Sequence, residues 1–330
     1  MPQRRLKALV VGTGSIGRRH ARNLQGLGVE VSGCDRDPTR LGPLVDELHV
    51  QGVEDLDVAL RSIEPDAVIV CTPPVSHLGV ARRSLEAGAD VFVEKPVSHT
   101  CEGVLQLDEL ARGRGRIVQV GYNLRFHPGI RKLKELLADG GIGRPLYVHA
   151  ECAQYLPDWR PWQAYQASYT ANKAMGGGIL LDASHEIDYV CDLFGRPRQV
   201  ICLAGKVSRL EMDVEDCATL LLRFGDALHA DIHLDCVQRE QVRTCRIAGE
   251  AGTLTWDYRQ NAVRAYSSVD RSWTEFAYEF APNDMYIAEM QHFLHCIESR
   301  QPPAIGLADG LRALQVVEAA RDWAELREAA

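Results

Sequence analysis

The sequence predicts two domains: an N-terminal α/β domain with a doubly wound parallel sheet, then an α+β domain with a large, mainly antiparallel open sheet. A chain of 330 residues exceeds the roughly 250–300 residues at which a single core stops growing. In residues 1–120, short β-branched runs alternate with helical patterns, which is typical of a parallel sheet covered by helices. From residue 200 onward, strand-like runs follow one another directly, which indicates antiparallel pairing. We therefore place the domains at residues 1–122 and 123–330.

The predicted elements follow from apolar periodicity and turn residues. In the first domain, strands are predicted over Leu6–Val11, Val29–Cys34, Ala67–Cys71, Val91–Val93 and Ile117–Val120. Helices are predicted there after Asp37-Pro38 and over His77–Ala87 and Thr100–Arg112. In the second domain, strands are predicted over Val200–Lys206, Ala218–Phe224, Ala227–Leu234, Val242–Ala248 and Thr253–Tyr258. Helices are predicted there from Pro128 to about Asp139, within Gly176–Tyr189, over Asp284–Ser299 and over Asp309–Glu328.

Charge and composition argue against several classes of protein. The net charge of −8 is spread along the chain without a basic stripe, unlike the charge pattern of a nucleic-acid binder. No run approaches the roughly 20 apolar residues that span a bilayer, and the apolar stretch after the basic N-terminus is too short for a signal peptide. The ten cysteines are scattered without a C-x-x-C pair, which argues against disulfides and structural zinc. We predict a cytoplasmic protein that acts on a small molecule, with no metal, membrane or nucleic-acid partner.

A glycine-rich motif predicts a dinucleotide site. Gly12-Thr13-Gly14-Ser15-Ile16-Gly17 follows a predicted strand and opens a helix, which is the context of the Rossmann fingerprint G-x-G-x-x-G. The three glycines allow the turn, the close approach of the pyrophosphate and the packing of helix on strand. The phosphates then lie at the positive end of the helix that begins near Ile16.

Asp35 decides which dinucleotide is expected. It ends the second predicted strand, about 20 residues after the glycines, where a carboxylate binds the ribose hydroxyls and repels a 2′-phosphate. This favours NAD. Arg36 and Arg40 leave NADP open, because an arginine here stacks on adenine or accepts a phosphate. Alternatively, Asp35 to Asp37 form only a turn and a helix cap.

Two further motifs indicate a family. Val68-Ile69-Val70-Cys71-Thr72-Pro73-Pro74 and Val91-Phe92-Val93-Glu94-Lys95-Pro96 resemble the glucose-fructose oxidoreductase, inositol dehydrogenase and rhizopine catabolism family, Gfo/Idh/MocA. The resemblance covers essentially the whole chain, and Glu-Lys-Pro is its most specific part. It implies an oxidoreductase that transfers a hydride between a nicotinamide cofactor and a hydroxyl or keto carbon of a sugar, polyol, sugar acid or nucleotide sugar. It also implies that Thr72, Pro73, His77 and Glu94 line the cofactor, although His77 taken alone is more typical of a helix start.

Lys95 is the first catalytic residue that we expect. An ammonium group at the carboxyl end of a parallel strand reaches the cofactor crevice and stabilises the oxygen that changes between alcohol and ketone. The family often has a cis peptide bond before the matching proline, so a cis Lys95-Pro96 bond is open. The structural alternative is a surface lysine paired with Glu94.

His185 is the second. In the segment Gly176–Tyr189, the polar residues Asp182, His185, Glu186 and Tyr189 have the spacing of one helix face. The segment resembles the family's catalytic helix, in which a histidine transfers the proton and an upstream aspartate contacts substrate. Many relatives separate the two by four residues, whereas Asp182 and His185 are three apart, so Asp182 either contacts the substrate or orients His185. The alternative for His185 is pairing with Glu186 or Asp188 on a solvated face.

Two more segments supply candidate substrate ligands. Asn123 and Arg125 resemble family residues that reach the cleft from the domain junction; either could instead cap the helix that begins at Pro128. Trp159, Arg160, Trp162 and Tyr165 are suited to stacking on a sugar ring and clamping an anion, or to packing between domains or subunits.

His229, Asp231, His233 and Asp235 alternate along one strand, which favours a polar sheet face over a metal site.

Three activities therefore remain open from the sequence. The leading one is an NAD(P)-dependent dehydrogenase or reductase acting on CH–OH groups. The others are an enzyme that uses tightly bound NAD in a transient redox cycle, for elimination, hydrolysis or epimerisation of a sugar, and a non-catalytic NAD-binding sensor. By the same resemblance, we expect a homodimer or homotetramer formed through the C-terminal sheet.

Overall fold

The computed structural model of the chain describes residues 5–328. It divides into two compact units. The first comprises the residues up to Asn123 together with Asn283–Leu311, and the second comprises Leu124–Pro282 together with the residues from Arg312. Each unit contains one sheet, parallel in the first and mainly antiparallel in the second, so the predicted fold class is confirmed.

The first unit has a parallel sheet. Its strands are β1 (Lys7–Val11), β2 (Glu30–Cys34), β3 (Gln51–Val53), β4 (Ala67–Val70), β5 (Asp90–Glu94) and β6 (Val118–Gly121). Its helices are α1 (Ser15–Gly26), α2 (Pro38–Leu48), α3 (Leu56–Ile63), α4 (His77–Glu86), α5 (Val104–Gly113) and, from the later segment, α10 (Asp284–Ser299). The strand order β3-β2-β1-β4-β5-β6 is that of a dinucleotide-binding Rossmann fold.

The segment Asn283–Leu311 belongs to the first unit, although the sequence analysis placed it in the second domain. The reason is the apolar face of α10. Met290 and Phe293 have no exposed surface and pack in one cluster with Val10, Ile69 and Phe92 of the parallel sheet. Burying such side chains stabilises a fold by about 2 kcal/mol each, so the Rossmann core includes this helix.

The second unit has a larger sheet. Its strands are β7 (Pro145–Ala153), β8 (Gln199–Gly205), β9 (Cys217–Phe224), β10 (Leu228–Asp235), β11 (Val242–Gly249), β12 (Gly252–Asp257), β13 (Ala262–Ser267) and β14 (Ser272–Ala277). Its helices are α6 (Pro128–Ala138), α7 (Leu156–Trp159), α8 (Ile179–Asp182) and α9 (Ser184–Phe194), while α11 (Leu307–Glu328) begins in the first unit. The strand order is β14-β13-β12-β11-β7-β10-β9-β8, with β7 and β10 parallel and the other neighbours antiparallel.

The two faces of this sheet differ in character. In β7, Val148 and Ala150 are fully buried, whereas Tyr147 and His149 alternate with them and remain accessible. Helices α6, α8 and α9 pack against the sheet. The sequence analysis missed β3, β7, β13 and β14, because polar residues occupy much of β7 and β14 and because β3 is only three residues long.

The structure has no helix, within residues 5–328, that is long and apolar enough to cross a bilayer.

Candidate dinucleotide and catalytic site

The glycine turn between β1 and α1 is built from two close backbone contacts. Gly12 has φ +90°, and an added Cβ would lie 2.6 Å from the carbonyl oxygen of Cys71. An added Cβ at Gly17 would lie 1.9 Å from the carbonyl oxygen of Gly12. At Gly14, by contrast, no protein atom lies within 4 Å of the added Cβ. The fold itself therefore requires two of the glycines, while the open space at Gly14 fits a pyrophosphate against the N-terminus of α1.

Asp35 follows β2 and faces the glycine turn. Its carboxylate accepts hydrogen bonds from the backbone N–H of Thr13 at 2.8 Å and from the Thr13 hydroxyl at 3.2 Å. It also accepts from the N–H of Asp37 at 3.0 Å, and Asp37 caps α2 through Thr39. The turn and the cap that the sequence left as an alternative are thus both present, and the carboxylate is held beside the dinucleotide fingerprint.

The two arginines near Asp35 are exposed. Arg40 lies 3.3 Å from Asp37 in an exposed ion pair, which contributes little to stability. Both guanidinium groups lie outside the core, near the end of β2 that carries Asp35.

Thr72, Pro73 and His77 follow β4. Thr72 and Pro73 are partly exposed, but His77 is almost fully buried. Its Nε2 lies 2.7 Å from the Thr72 carbonyl oxygen and its Nδ1 lies 2.8 Å from the Pro96 carbonyl oxygen. Burial lowers the pKa of His77, although the two carbonyl groups oppose that shift. His77 therefore connects the turns that follow β4 and β5.

Lys95 follows β5 directly and is partly exposed. The Lys95-Pro96 peptide bond is cis. The Glu94 carboxylate accepts from the Lys95 backbone N–H at 3.1 Å and from the His20 ring at 2.6 Å. The Glu94 side chain is thus buried and hydrogen-bonded within the protein. It fixes the Lys95 backbone at the carboxyl edge of the parallel sheet.

His185 lies near the start of α9 in the second unit and is 9% exposed. The sequence predicts that Asp182, His185, Glu186 and Tyr189 share one helix face. This is wrong for Asp182, whereas His185, Glu186 and Tyr189 lie on the same helix. The helix is interrupted at Ala183, so Asp182 ends α8 and His185 belongs to α9. Asp182 accepts hydrogen bonds from the hydroxyls of Tyr169 and Thr170, the latter at 2.5 Å.

The start of α8 is anchored by the glycine run before it. An added Cβ at Gly177 would lie 2.2 Å from the Tyr169 carbonyl oxygen, and one at Gly178 would lie 2.2 Å from Glu215 Oε1. Gly178 has φ +107°, a conformation that favours glycine. The Arg321 guanidinium donates to Glu215 and to the Gly177 carbonyl oxygen, both at 3.1 Å. The Gly176-Gly177-Gly178 run thus lets a loop, a carboxylate and a helix meet in little space.

Glu186 pairs with the sheet. Its carboxylate is fully buried and binds the Arg243 guanidinium of β11 in a bidentate ion pair at 2.7 and 3.0 Å. Such geometry gives a charge pair orientational specificity. Glu186 therefore fixes α9 on the sheet directly beside His185.

The junction residues are held within the protein. Asn123 is 3% exposed, and Arg125 forms a bidentate pair with Asp188 of α9 at 2.6 and 2.7 Å. The sequence analysis left open that one of them caps α6, but neither does. His127 is the cap instead, since its Nδ1 accepts from the Gly129 N–H at 3.0 Å.

The aromatic segment is irregular, with short turns of helix. Trp159 is partly exposed and donates from its indole nitrogen to the Gln154 carbonyl oxygen at 2.9 Å. Trp162 is 71% exposed, while the Tyr165 hydroxyl accepts from the Glu211 N–H at 3.0 Å. Arg160 lies between the two tryptophans and is partly exposed. The segment thus presents an indole and a guanidinium group for contact with a ligand or partner.

The polar strand β10 has internal partners. Asp231 binds His149 and Tyr147 of β7, and His233 lies 3.0 Å from Asp235. These contacts fit the polar sheet face that the alternation predicts.

Sequence reasoning missed His20 and Glu289. His20 lies on the face of α1 that also buries Gly17, Ala21 and Leu24, and Glu289 has no exposed surface on α10. A polar residue in the apolar series of an amphipathic helix is a signal that it has a buried partner.

The Rossmann sheet order and the glycine turn define a dinucleotide-binding protein. The chain belongs to the Gfo/Idh/MocA family. Residues 6–122 match the family model described as "Oxidoreductase family, NAD-binding Rossmann fold", and residues 130–255 match the "GFO/IDH/MocA C-terminal domain". The first domain is therefore the NAD-binding domain of an oxidoreductase family, which confirms the sequence-based assignment.

Several known proteins are similar along nearly the full chain. The inositol 2-dehydrogenase of Acidothermus cellulolyticus is 26% identical over 321 residues, covering 95% of this chain and 91% of that protein. The UDP-N-acetylglucosamine 3-dehydrogenase of Acidithiobacillus ferrooxidans is 24% identical over 318 residues, covering 94% of each. The crystal structure of GenD2 from gentamicin A biosynthesis, in complex with NAD, has a TM-score of 0.84 at 25% identity and covers 98% of this chain and 95% of that chain.

We expect Gly14→Ala and Gly17→Ala to separate cofactor binding from folding. Gly14→Ala should leave the free energy of unfolding within about 0.5 kcal/mol of the wild-type value, since the added methyl meets no protein atom. The same substitution should weaken NADH binding at least about tenfold, because the methyl occupies the space for the pyrophosphate. Gly17→Ala should lower the free energy of unfolding by more than about 2 kcal/mol, because its methyl meets the Gly12 carbonyl. Urea unfolding without dinucleotide and fluorescence titration with NADH measure the two effects. Equal losses of stability would contradict this assignment.

Proposed function

We propose that this protein is an NAD-dependent dehydrogenase that oxidises a CH–OH group of a sugar, polyol, sugar acid or nucleotide sugar, or reduces the corresponding ketone. The observation that carries the proposal is the placement of Lys95. It follows a fully buried strand of the dinucleotide-binding sheet, at the carboxyl edge where such sheets bind their ligands. Relatives named for inositol and for UDP-N-acetylglucosamine support the substrate class.

The cofactor residues fit NAD. Gly12, Gly14 and Gly17, with Ser15 and Ile16 at the start of α1, would hold the pyrophosphate, and Asp35 would bind the adenosine ribose. Its negative charge disfavours the 2′-phosphate of NADP. Thr72, Pro73 and the Lys95 segment would line the nicotinamide end. Bound NAD supplies the ring that accepts or returns a hydride.

The chemistry of the chain's own residues is charge stabilisation and proton transfer. The Lys95 ammonium donates a hydrogen bond to the reacting oxygen and stabilises its developing negative charge. His185 takes the hydroxyl proton during oxidation and returns it during reduction. Asp182, held by Tyr169 and Thr170, presents a fixed carboxylate at the end of α8, near His185 in sequence. Its position supports either substrate contact or orientation of His185.

The substrate class also agrees with the exposed aromatic segment. Trp162 is largely exposed, and its indole can stack on the apolar face of a sugar ring. Arg160 is suited to a carboxylate or phosphate of a sugar acid or nucleotide sugar. We assign Trp159 and Tyr165 to the same binding segment. Asn123 and Arg125 would act at the junction, with Arg125 oriented by its pair with Asp188.

A substrate panel tests the activity and the cofactor together. Polyols, sugars, sugar acids and nucleotide sugars are each incubated with NAD or NADP, and absorbance reports the reduced cofactor. We expect net NADH formation with at least one class, and a kcat/KM with NAD at least about tenfold above that with NADP. Asp35→Ser should narrow that ratio. Product without reduced cofactor would instead indicate a transient redox cycle, and no turnover of any member would favour a sensor.

Lys95 and His185 are tested by substitution. Lys95→Ala and His185→Ala should each lower kcat by about a hundredfold or more, because each removes a group that acts on the reacting oxygen or its proton. The Kd for NADH should change little. Lys206→Ala and His295→Ala, both at exposed positions, serve as matched controls. Full activity of either site variant would exclude its assigned role.

We further propose that the chain works in the cytoplasm as a homodimer or homotetramer. All ten cysteines are free, which is typical of a reducing compartment. The outer face of the second sheet exposes Leu203 (77%) and Leu221 (51%), an apolar surface suited to a second copy of the chain.

Leu221→Glu tests the self-association. We expect light scattering to give a multiple of the 36.6 kDa chain mass for the wild type and a smaller particle for this variant, because a buried unpaired charge opposes association. Val269→Glu, at another exposed apolar position, should retain the wild-type mass. A monomeric wild type would refute the proposal.

A further inference from the structure

A buried cluster in the first unit joins three elements. His20 of α1, Glu94 of β5 and Glu289 of α10 place a ring nitrogen and two carboxylate oxygens within 4.8 Å of one another. His20 and Glu289 have no exposed surface, and Glu94 is 8% exposed. Ionisable side chains are rarely buried this completely unless they are paired with one another.

Glu94 connects His20 to the backbone of Lys95 through two hydrogen bonds. One of its oxygens accepts from the His20 ring at 2.6 Å, and the other accepts from the Lys95 backbone N–H at 3.1 Å. One carboxylate thus links the helix that begins at the dinucleotide fingerprint to the residue that we assign to catalysis. A rotation of Glu94 would break one of the two links.

Glu289 completes the cluster from α10. Neither of its carboxyl oxygens accepts a hydrogen bond from a donor group among residues 5–328. Burial raises the pKa of Glu289 well above its ordinary value, and the nearby Glu94 charge raises it further. This shift favours the uncharged form of Glu289, which has one O–H to donate, and the Glu94 carboxylate within 4.8 Å offers an acceptor.

We propose that Glu289, together with His20, holds the Glu94 carboxylate in place and is thereby a positioning residue for Lys95. This inference rests on the proposed function, because it assumes that Lys95 acts on the reacting oxygen. The retained proton lets two carboxyl groups share one buried site, in the way that close carboxyl pairs do. α10 thus acts on the site through a side chain that contacts neither cofactor nor substrate.

A metal ion suits this cluster less well than a proton. The His20 and Glu94 ligand atoms are 2.6 Å apart, the length of a hydrogen bond. Two ligands on a tetrahedral zinc at about 2.0–2.2 Å lie well over 3 Å from each other. The short contact therefore indicates a shared hydrogen.

The first test measures the kcat and KM of Glu289→Leu and Glu289→Gln. Leucine fills a similar volume but donates nothing, so we expect kcat to fall at least about tenfold, with the Kd for NADH within about twofold of wild type. Glutamine retains a donor and should bring kcat back to within about threefold of wild type. Glu298→Leu, at an exposed position on the same helix, is the matched control.

The second test is the pH dependence of stability, which needs no substrate. Besides Glu94 and His20, the charged or titratable neighbours of Glu289 are Cys71, Tyr286 and, over the Tyr286 ring, Arg19. Glu289 loses its proton near pH 4.3 in the unfolded chain, whereas burial raises its pKa well above that value in the folded protein. Its contribution to stability is therefore complete below that pH and is lost as the pH rises toward its raised pKa. The ratio of the folding constants of Glu289→Gln and wild type should increase by up to about tenfold per pH unit in this interval.

The outcomes separate this inference from the proposed function. An active wild type with unchanged kcat in Glu289→Leu would overturn the positioning role, as would a loss of kcat that glutamine does not restore. A folding-constant ratio that does not change with pH would overturn the retained proton. So would a stoichiometric metal ion in the purified protein that Glu289→Gln loses. A wild type that turns over no substrate, yet shows the pH-dependent ratio, would refute the proposed function while supporting the buried acid.

Discussion

The contact of Gly17 with the Gly12 carbonyl is the constraint on which the first unit depends. Because a Cβ at residue 17 would lie 1.9 Å from that oxygen, α1 packs directly against the backbone of the turn that follows β1. This sets the position of His20 one turn later, which in turn sets the partner of Glu94. The backbone of Lys95 depends on Glu94, so a packing requirement at the fingerprint extends to the end of β5.

The second unit fixes its own helix by charge and by small residues. Glu186 binds Arg243 in the interior, and Arg125 binds Asp188 two residues further along α9. Before α8, Gly178 makes room for Glu215, which Arg321 holds. Removing one residue of such a buried pair leaves the other charge without its partner, which lowers the free energy of unfolding by about 3–5 kcal/mol. The orientation of α9, and with it His185, is therefore maintained by interactions outside any ligand contact.

The sequence was sufficient to predict the fold class because two of its features, the apolar strands and the glycine motif, were clear. Val68–Val70 and Val91–Val93 are continuous apolar runs, and the glycine spacing between a strand and a helix is typical of a dinucleotide-binding turn. It was insufficient for β7, whose outward residues include Tyr147, His149 and Glu151, because their partners come from strands distant in sequence. The break at Ala183 and the pair Glu186–Arg243 depend on tertiary contacts in the same way. The sequence analysis did not identify Glu289, because only the fold brings His20 and Glu94 to it.

The return of Asn283–Leu311 to the first unit has a consequence for synthesis and for protein engineering. Met290 and Phe293 reach the ribosomal exit only after the entire large sheet has been translated, so the Rossmann core stays incomplete until then. A fragment ending at residue 122 would lack this layer and expose the apolar surface that α10 covers. The large sheet is thus an insertion within the nucleotide-binding body. Because the residues from Arg312 also belong to the second unit, a chimera that exchanges this unit needs three junctions: one after β6, one before α10 and one within α11.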